Sequence, residues 1–372
     1  MFRIPLIKPY IDDTIRQDVL AVLDSGYLTE GPVTKELETL AAAYTGAKHC
    51  IAVTSCTTGL ELALRALGVG RGDEVIVPAY TYPASALAVS IVGGTAVIVD
   101  VSPKDMLMDF DALEKAVTNK TKAVIPVSLF GNPLDYDRLN EFKTKHSLFI
   151  VEDAACALGA EYKGARVGSI ADITVFSLHP RKFITTGEGG LVTTDNDTWA
   201  DMMKSYKHFG MRVENGVLYP EFVGDGTNYK LSNIQAAVGV GQFKKIDELL
   251  ALRSSMALRY QEKLRGIEGL SLPCTVPGGT HGWQSFCAFV EGRDRVMSAM
   301  RGRGIEVQIG TYNLATQKAF THSEKYRIVS PCPGSALSFD KCLALPLYSE
   351  MTDKIQDEVV DNLVDILHQC NG

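Results

Sequence analysis

From about residue 34 the chain alternates between two hydrophobic rhythms. Residues 33–44, 57–67, 111–117 and 135–145 carry apolar positions at helical spacing, which predicts amphipathic helices. Residues 49–54, 74–77, 96–99, 123–127, 148–151, 173–176 and 191–194 are short apolar runs rich in valine and isoleucine, which predicts buried strands. The alternation predicts an α/β fold with a mostly parallel sheet covered on both faces. Ligands of such sheets bind at the carboxyl ends of the strands. Residues 231–252 read as one long helix, and after it the texture changes. A strand is expected over 283–290, a helix over 294–303, a strand over 305–309 and a closing helix over 351–368 with Thr352 or Asp353 as N-cap. The expected division is a large domain over 1–248 and a smaller C-terminal α/β domain over 249–372.

Composition narrows the function classes. The 372 residues are 46% hydrophobic and 22% charged, with a net charge of -7, an ordinary balance for a globular protein. The basic residues are scattered, so no nucleic-acid partner is expected. The N-terminus lacks the apolar core of a signal peptide and the longest apolar runs are too short to span a bilayer. A cytoplasmic protein with no membrane partner is expected. None of the eight cysteines forms a C-x-x-C pair, so metal ligation is not expected and the cysteines read as small buried hydrophobes.

Candidate chemistry gathers at the strand ends. Between the strands at 173–176 and 191–194 lies a loop with Ser177, His179 and Lys182 ahead of Gly187, Gly189 and Gly190. A lysine there sits beside the ligand-binding edge of the sheet, and the glycines suit a tight turn or a close approach. The strand ending at 151 runs into Glu152 and Asp153. A carboxylate in that position could hold a ring nitrogen in its protonated form. Ser55, Cys56, Thr57, Thr58 and Gly59 join a strand to a helix, a junction suited to a phosphate. Tyr80 and Tyr82 follow the next strand, where a ring either stacks on a planar cofactor or packs in the core.

Taken in order, these motifs resemble the DegT/DnrJ/EryC1/StrS family of nucleotide-sugar aminotransferases. The resemblance begins at Ile4-Pro5-Leu6 and the stretch from Ser25 to Pro32. It continues through Pro78 to Tyr82, Glu152 to Ala155 and the S-x-H-x-x-K-x-x-x-x-G-E-G-G pattern from Ser177 to Gly190. It includes Asn228 to Ala237 and ends near Leu345 to Tyr348. It implies fold type I of the enzymes that depend on pyridoxal 5'-phosphate, with that molecule as cofactor. By resemblance Lys182 holds the cofactor covalently, Asp153 pairs with its ring nitrogen and Tyr82 stacks on its ring. Thr57, Thr58 and Ser177 bind the phosphate, and Cys156 stands near the ring hydroxyl, where the family usually has a larger polar residue. Glycine is also common where Cys56 stands. Asn228 reaches the phosphate of the neighbouring subunit's cofactor, which implies a homodimer with shared sites. Tyr27, Thr29, His179, Tyr312 and Asn313 are substrate-binding candidates. Residues 311–315 fall where many relatives carry a histidine.

The implied reaction moves an amino group from glutamate or glutamine to a nucleotide-linked keto sugar, for surface polysaccharides or antibiotic sugars. Lys182 then moves the donor's proton, and its pKa is expected to fall by burial or nearby cations. Relatives with histidine at the lysine position act as dehydratases, so Lys182 favours transamination. A sugar dehydratase or lyase on the same scaffold, and an inactive regulatory relative, are the alternative readings.

Overall fold

The computed structural model describes residues 2–212 and 219–371. Its centre is an eight-stranded sheet built from β1 (His49–Val53), β2 (Glu74–Pro78), β3 (Thr95–Val99), β4 (Thr121–Val124), β5 (Phe149–Asp153), β6 (Ile173–Ser177), β7 (Gly190–Thr194) and β8 (Tyr326–Ile328). Their spatial order is β1-β7-β6-β5-β4-β2-β3-β8. Each strand predicted in this region is present, within a few residues of its expected ends. Pairing is parallel from β6 to β8, whereas β7 runs antiparallel to both its neighbours. The connection from β6 to β7 contains no crossover helix: it folds straight back and pairs Ser177 with Gly190, whereas a parallel neighbour usually needs a helix to return the chain. The loop so formed is the one that carries Lys182.

Two apolar cores cover this sheet. One holds Ile51, Val53, Val75, Val77, Ile98 and Val175 against the helices Cys56–Ala66 and Ala84–Ile91. The other holds Ala52, Ile76, Val97, Val124 and Phe176. Alternate residues of one strand thus enter opposite layers, as the pleat requires. Close contact fixes one helix: a β-carbon on Gly59 would meet Val175 at 2.7 Å.

The C-terminal region builds a four-stranded sheet in the order Leu270–Ser271, Phe286–Val290, Cys342–Leu345, Gln308–Ile309. Helices Arg293–Gly302 and Asp353–Asn371 belong to it, and the second starts after Thr352, whose hydroxyl accepts from Ile355 N–H at 3.3 Å. Two segments cross between the cores. Ile4 packs with this third core, and β8 returns to the edge of the large sheet beside β3.

The single helix expected over 231–252 is instead two, Asn233–Phe243 and Ile246–Leu264. Lys245 leaves helical geometry at φ -119° and ψ 13°, and its ammonium reaches Asp12 at 2.6 Å and Tyr10 at 3.0 Å. Asp247 and Glu248 then occupy the first turn of the second helix, where acidic side chains favour a new N-terminus. The strand expected over 305–309 shrinks to Gln308–Ile309.

Candidate active site

The site is built at the carboxyl ends of β1, β2, β5 and β6. After β1, Ser55 caps the helix Cys56–Ala66, its hydroxyl accepting from Thr58 N–H at 3.1 Å while Thr58 Oγ1 accepts from Ser55 N–H at 3.1 Å. This reciprocal cap is why the chain turns sharply here. Cys56 and Thr57 open the first turn, where backbone N–H groups have no acceptor within the helix. Gly190 lies directly against this turn: a β-carbon there would meet Ser55 and Cys56 backbone atoms at 2.7 to 2.8 Å. Ser177, its pairing partner, stands across from it at the end of β6. An anion held here would meet a helix N-terminus and hydroxyls together. Thr58 differs from expectation in one respect, since its hydroxyl is engaged in the cap and also donates to Ser55 O at 2.8 Å.

The pleat of β5 separates the two carboxylates that the sequence leaves side by side. Asp153 accepts from the Ser85 hydroxyl at 2.7 Å, from Ala155 N–H at 3.2 Å and from the Cys56 thiol at 3.9 Å. Glu152 turns to the other face, where it accepts from Tyr136 at 2.7 Å, from Thr174 at 3.3 Å and from Ser128. Burial raises the pKa of both. For Glu152 it reaches about 7. Asp153 faces Lys182, whose charge pulls the other way.

Lys182 hangs from the loop between β6 and β7, with its N–H donating to His179 O at 2.8 Å. Its amine lies 3.0 Å from the Cys156 sulfur. Burial works against the ammonium, but Cys156, Cys56 and Asp153 outweigh it, so the pKa stands above the ordinary lysine value. This corrects the expected fall: the groups facing the amine are thiols and a carboxylate, not cations. The amine, the carboxylate, the helix N-terminus and the glycine cradle fit pyridoxal phosphate.

The remaining candidates lie farther out. Tyr80 is a core residue, 1% exposed, whereas the Tyr82 ring is 65% exposed and 6.2 Å from that of Tyr312. These rings meet because Tyr312–Asn313 pairs antiparallel with Tyr80–Thr81. Asn313 is buried and its side chain accepts from Ala315 N–H at 3.1 Å, so it caps a turn. His179 accepts from Arg181 N–H at 3.2 Å and faces Glu188 at 3.8 Å, and burial lowers its pKa. Tyr27 and Thr29 occupy the turn between helices Asp13–Ser25 and Pro32–Thr45, held by Asn233. Tyr27 also lines a separate groove of about 420 Å³. Asn228 is exposed and accepts from the Lys230 ammonium at 2.7 Å. Sequence reasoning missed Ser85, whose only signal is its place one helical turn after Tyr82.

Among the described residues, no helix is long and apolar enough to cross a membrane, and no cluster of His, Cys, Asp and Glu is placed to hold a metal ion. The model of the DegT/DnrJ/EryC1/StrS aminotransferase family matches residues 9–364. The chain is 34% identical to the spore coat polysaccharide biosynthesis protein SpsC of Bacillus subtilis, over 98% of this chain and 97% of that protein. It is 36% identical to GDP-perosamine synthase of Caulobacter vibrioides, over 98% of both chains. Among solved structures it resembles the sugar aminotransferase Spr1654 of Streptococcus pneumoniae in its PLP form, described there as putative. That match has a TM-score of 0.91 and 31% identity, over 98% of this chain and 99% of that one. The fold, the site and these relatives agree: the chain belongs to the DegT/DnrJ/EryC1/StrS family and is a pyridoxal-phosphate-dependent aminotransferase of fold type I.

Proposed function

We propose that this aminotransferase moves an amino group from glutamate or glutamine to a keto sugar carried on a nucleotide. The observation that carries the reading is one cluster, with the half-buried Lys182 amine and the buried Asp153 carboxylate beside a capped helix N-terminus. Sugar amination is supported by the relatives, one of them a GDP-perosamine synthase.

Pyridoxal phosphate, when bound, supplies an electron sink for the pair released when a C–H bond of the donor breaks. Lys182 holds the cofactor covalently and, once displaced, accepts and returns a proton at Nζ. Asp153 sustains that sink by keeping a proton on the ring nitrogen through its opposite charge. Ser85 fixes the carboxylate by its hydrogen bond. Thr57, Ser177 and the first-turn amides hold the phosphate, and Tyr82 covers the ring. Cys156 brings a thiol where a hydrogen-bonding amide is usual in the family, so contact with the ring hydroxyl is weaker.

The active unit in this reading is a homodimer. Asn228 is exposed on its own chain, where the Lys230 ammonium is its side-chain partner, and from that position it would reach a phosphate in a neighbouring subunit. Leu20, Leu23, Tyr27 and Leu28, on or just after the helix Asp13–Ser25, are exposed apolar side chains that a second copy would cover.

A panel of nucleotide-linked keto sugars, incubated with glutamate or glutamine and the loaded enzyme, tests the reading. Formation of an amino sugar with a matching amount of 2-oxo acid is expected. Conversion of a sugar without consumption of any amino donor would instead mark a dehydratase.

A further inference from the structure

Lys182 has a long flexible side chain, so the position of its amine depends on how firmly the main chain beneath it is held. Two buried glutamines grip that main chain on its C-terminal and N-terminal sides. Gln242, fully buried on the helix Asn233–Phe243, accepts from Thr185 N–H at 2.9 Å and donates to Thr185 O at 2.8 Å. Gln284, 4% exposed, accepts from Phe183 N–H at 3.1 Å and donates to Arg181 O at 2.7 Å. Each carboxamide thus supplies one donor and one acceptor to the backbone within three residues of Lys182. Gln284 is itself braced. The buried Arg253 guanidinium donates to the carbonyls of Trp283, Gln284 and Leu347 at 2.9, 2.6 and 3.2 Å. Burial alone lowers the Arg253 pKa to about 9. The same guanidinium lies 5.6 Å from the centre of the Phe183 ring, so it touches the lysine loop as well as the carbonyls that brace Gln284.

We infer that Gln242 and Gln284 are positioning residues that clasp the lysine loop, and that Gln284 with Arg253 ties the lysine to the C-terminal region. This rests on the reading of Lys182 as the cofactor lysine. Both clasp residues act through the backbone, so neither touches the reacting atoms. Their function is to keep the displaced amine within reach of the carbon it must serve, where a misplacement of about 1 Å can cost on the order of 10²-fold in rate.

The test uses Gln242→Met and Gln284→Met, which keep volume but remove both hydrogen bonds to the loop, and Gln242→Glu. A protonated glutamate has one donor and one acceptor, so it can replace the amide at acid pH and loses the donor when it ionises. Hydrogen exchange on the cofactor-free full chain reads the clasp independently of the cofactor. Protection at Thr185 in one Met variant and Phe183 in the other should fall about tenfold, the size of one lost buried hydrogen bond, while β6 stays unchanged. On adding pyridoxal phosphate, the visible band of the lysine-bound cofactor should form about tenfold more slowly or more, with its pH midpoint displaced. Gln242→Glu should behave like the parent at acid pH and like Gln242→Met at alkaline pH. Unchanged exchange in both Met variants overturns the clasp. Faster exchange with unchanged band formation and pH midpoint overturns the positioning role. If the parent's cofactor is found fixed to a lysine other than Lys182, the site reading fails, and the role given to the clasp falls with it even where exchange is altered.

Discussion

Asp153 at the buried floor of the candidate site and the exposed Tyr82 are built in opposite ways. Asp153 is 4% exposed and has a hydroxyl, a backbone amide and a thiol fixing it. Tyr82 is 65% exposed and meets only another exposed tyrosine ring, that of Tyr312, among the ring contacts of the described residues. The floor is pre-organised by strands whose side-chain directions the pleat dictates, so its polar groups are held in place before any ligand arrives. The rim is made of turns and short strand ends, where side chains keep their freedom until a substrate or a second subunit covers them.

Substitutions on the floor should cost most. Lys182→Ala should abolish turnover, by at least roughly 10⁴-fold, since a general acid–base and the covalent tether go together. The fold should persist, which circular dichroism and steady-state kinetics would check jointly. Substantial turnover in this variant would remove the floor from its place in the comparison.

Asp153→Asn comes next. Loss of one pre-organised electrostatic contact costs roughly 10²–10³ in rate, and phosphate-held cofactor should still copurify. Single-turnover kinetics with glutamate should show the loss in the proton-transfer step. An unchanged rate would mean that the carboxylate only caps the end of β5.

In the proposed dimer, Asn228 should show, on mixing, a partial recovery that only an assembly can give. Lys182→Ala and Asn228→Asp should each be inactive alone, the second because a carboxylate repels the phosphate. After subunit exchange, mixed dimers should regain part of the activity, because one pocket then has both an intact lysine and an intact asparagine. Failure to recover despite proven exchange would confine Asn228 to its own chain, beside Lys230.

The smallest effect concerns the carboxylate on the other face of β5. Burial raises Glu152 from 4.5 to about 7, so the folded chain keeps a proton that the unfolded chain releases. Its contribution is present below about 4.5 and is lost as pH rises toward about 7. In cofactor-free protein, Glu152→Gln should therefore flatten the decline of melting temperature across that window by a few degrees. The same slope in parent and variant would show that Glu152 releases its proton equally in both states.

Legibility from sequence follows the same division. The sheet strands were readable because apolar runs bounded by polar turns leave few other options, and the lysine loop because three glycines flank a polar strand end. The helix break at Lys245 was not, since two lysines continue a helical pattern and only the contact of Lys245 with Asp12, far away in sequence, explains the turn. Glu152 and Asp153 read alike in one dimension, and it takes the strand's pleat to send them to different faces. Gln242 and Gln284 were invisible for a related reason. A glutamine inside an apolar segment has no signature until the backbone it grips, more than fifty positions away in each case, is folded against it.

Reduction of the loaded enzyme with borohydride, followed by mass mapping of its peptides, tests the central claim most directly. The account predicts loss of the visible absorbance and the added cofactor mass on the peptide that contains Lys182. Cofactor mass on any other lysine, or on none, would contradict it.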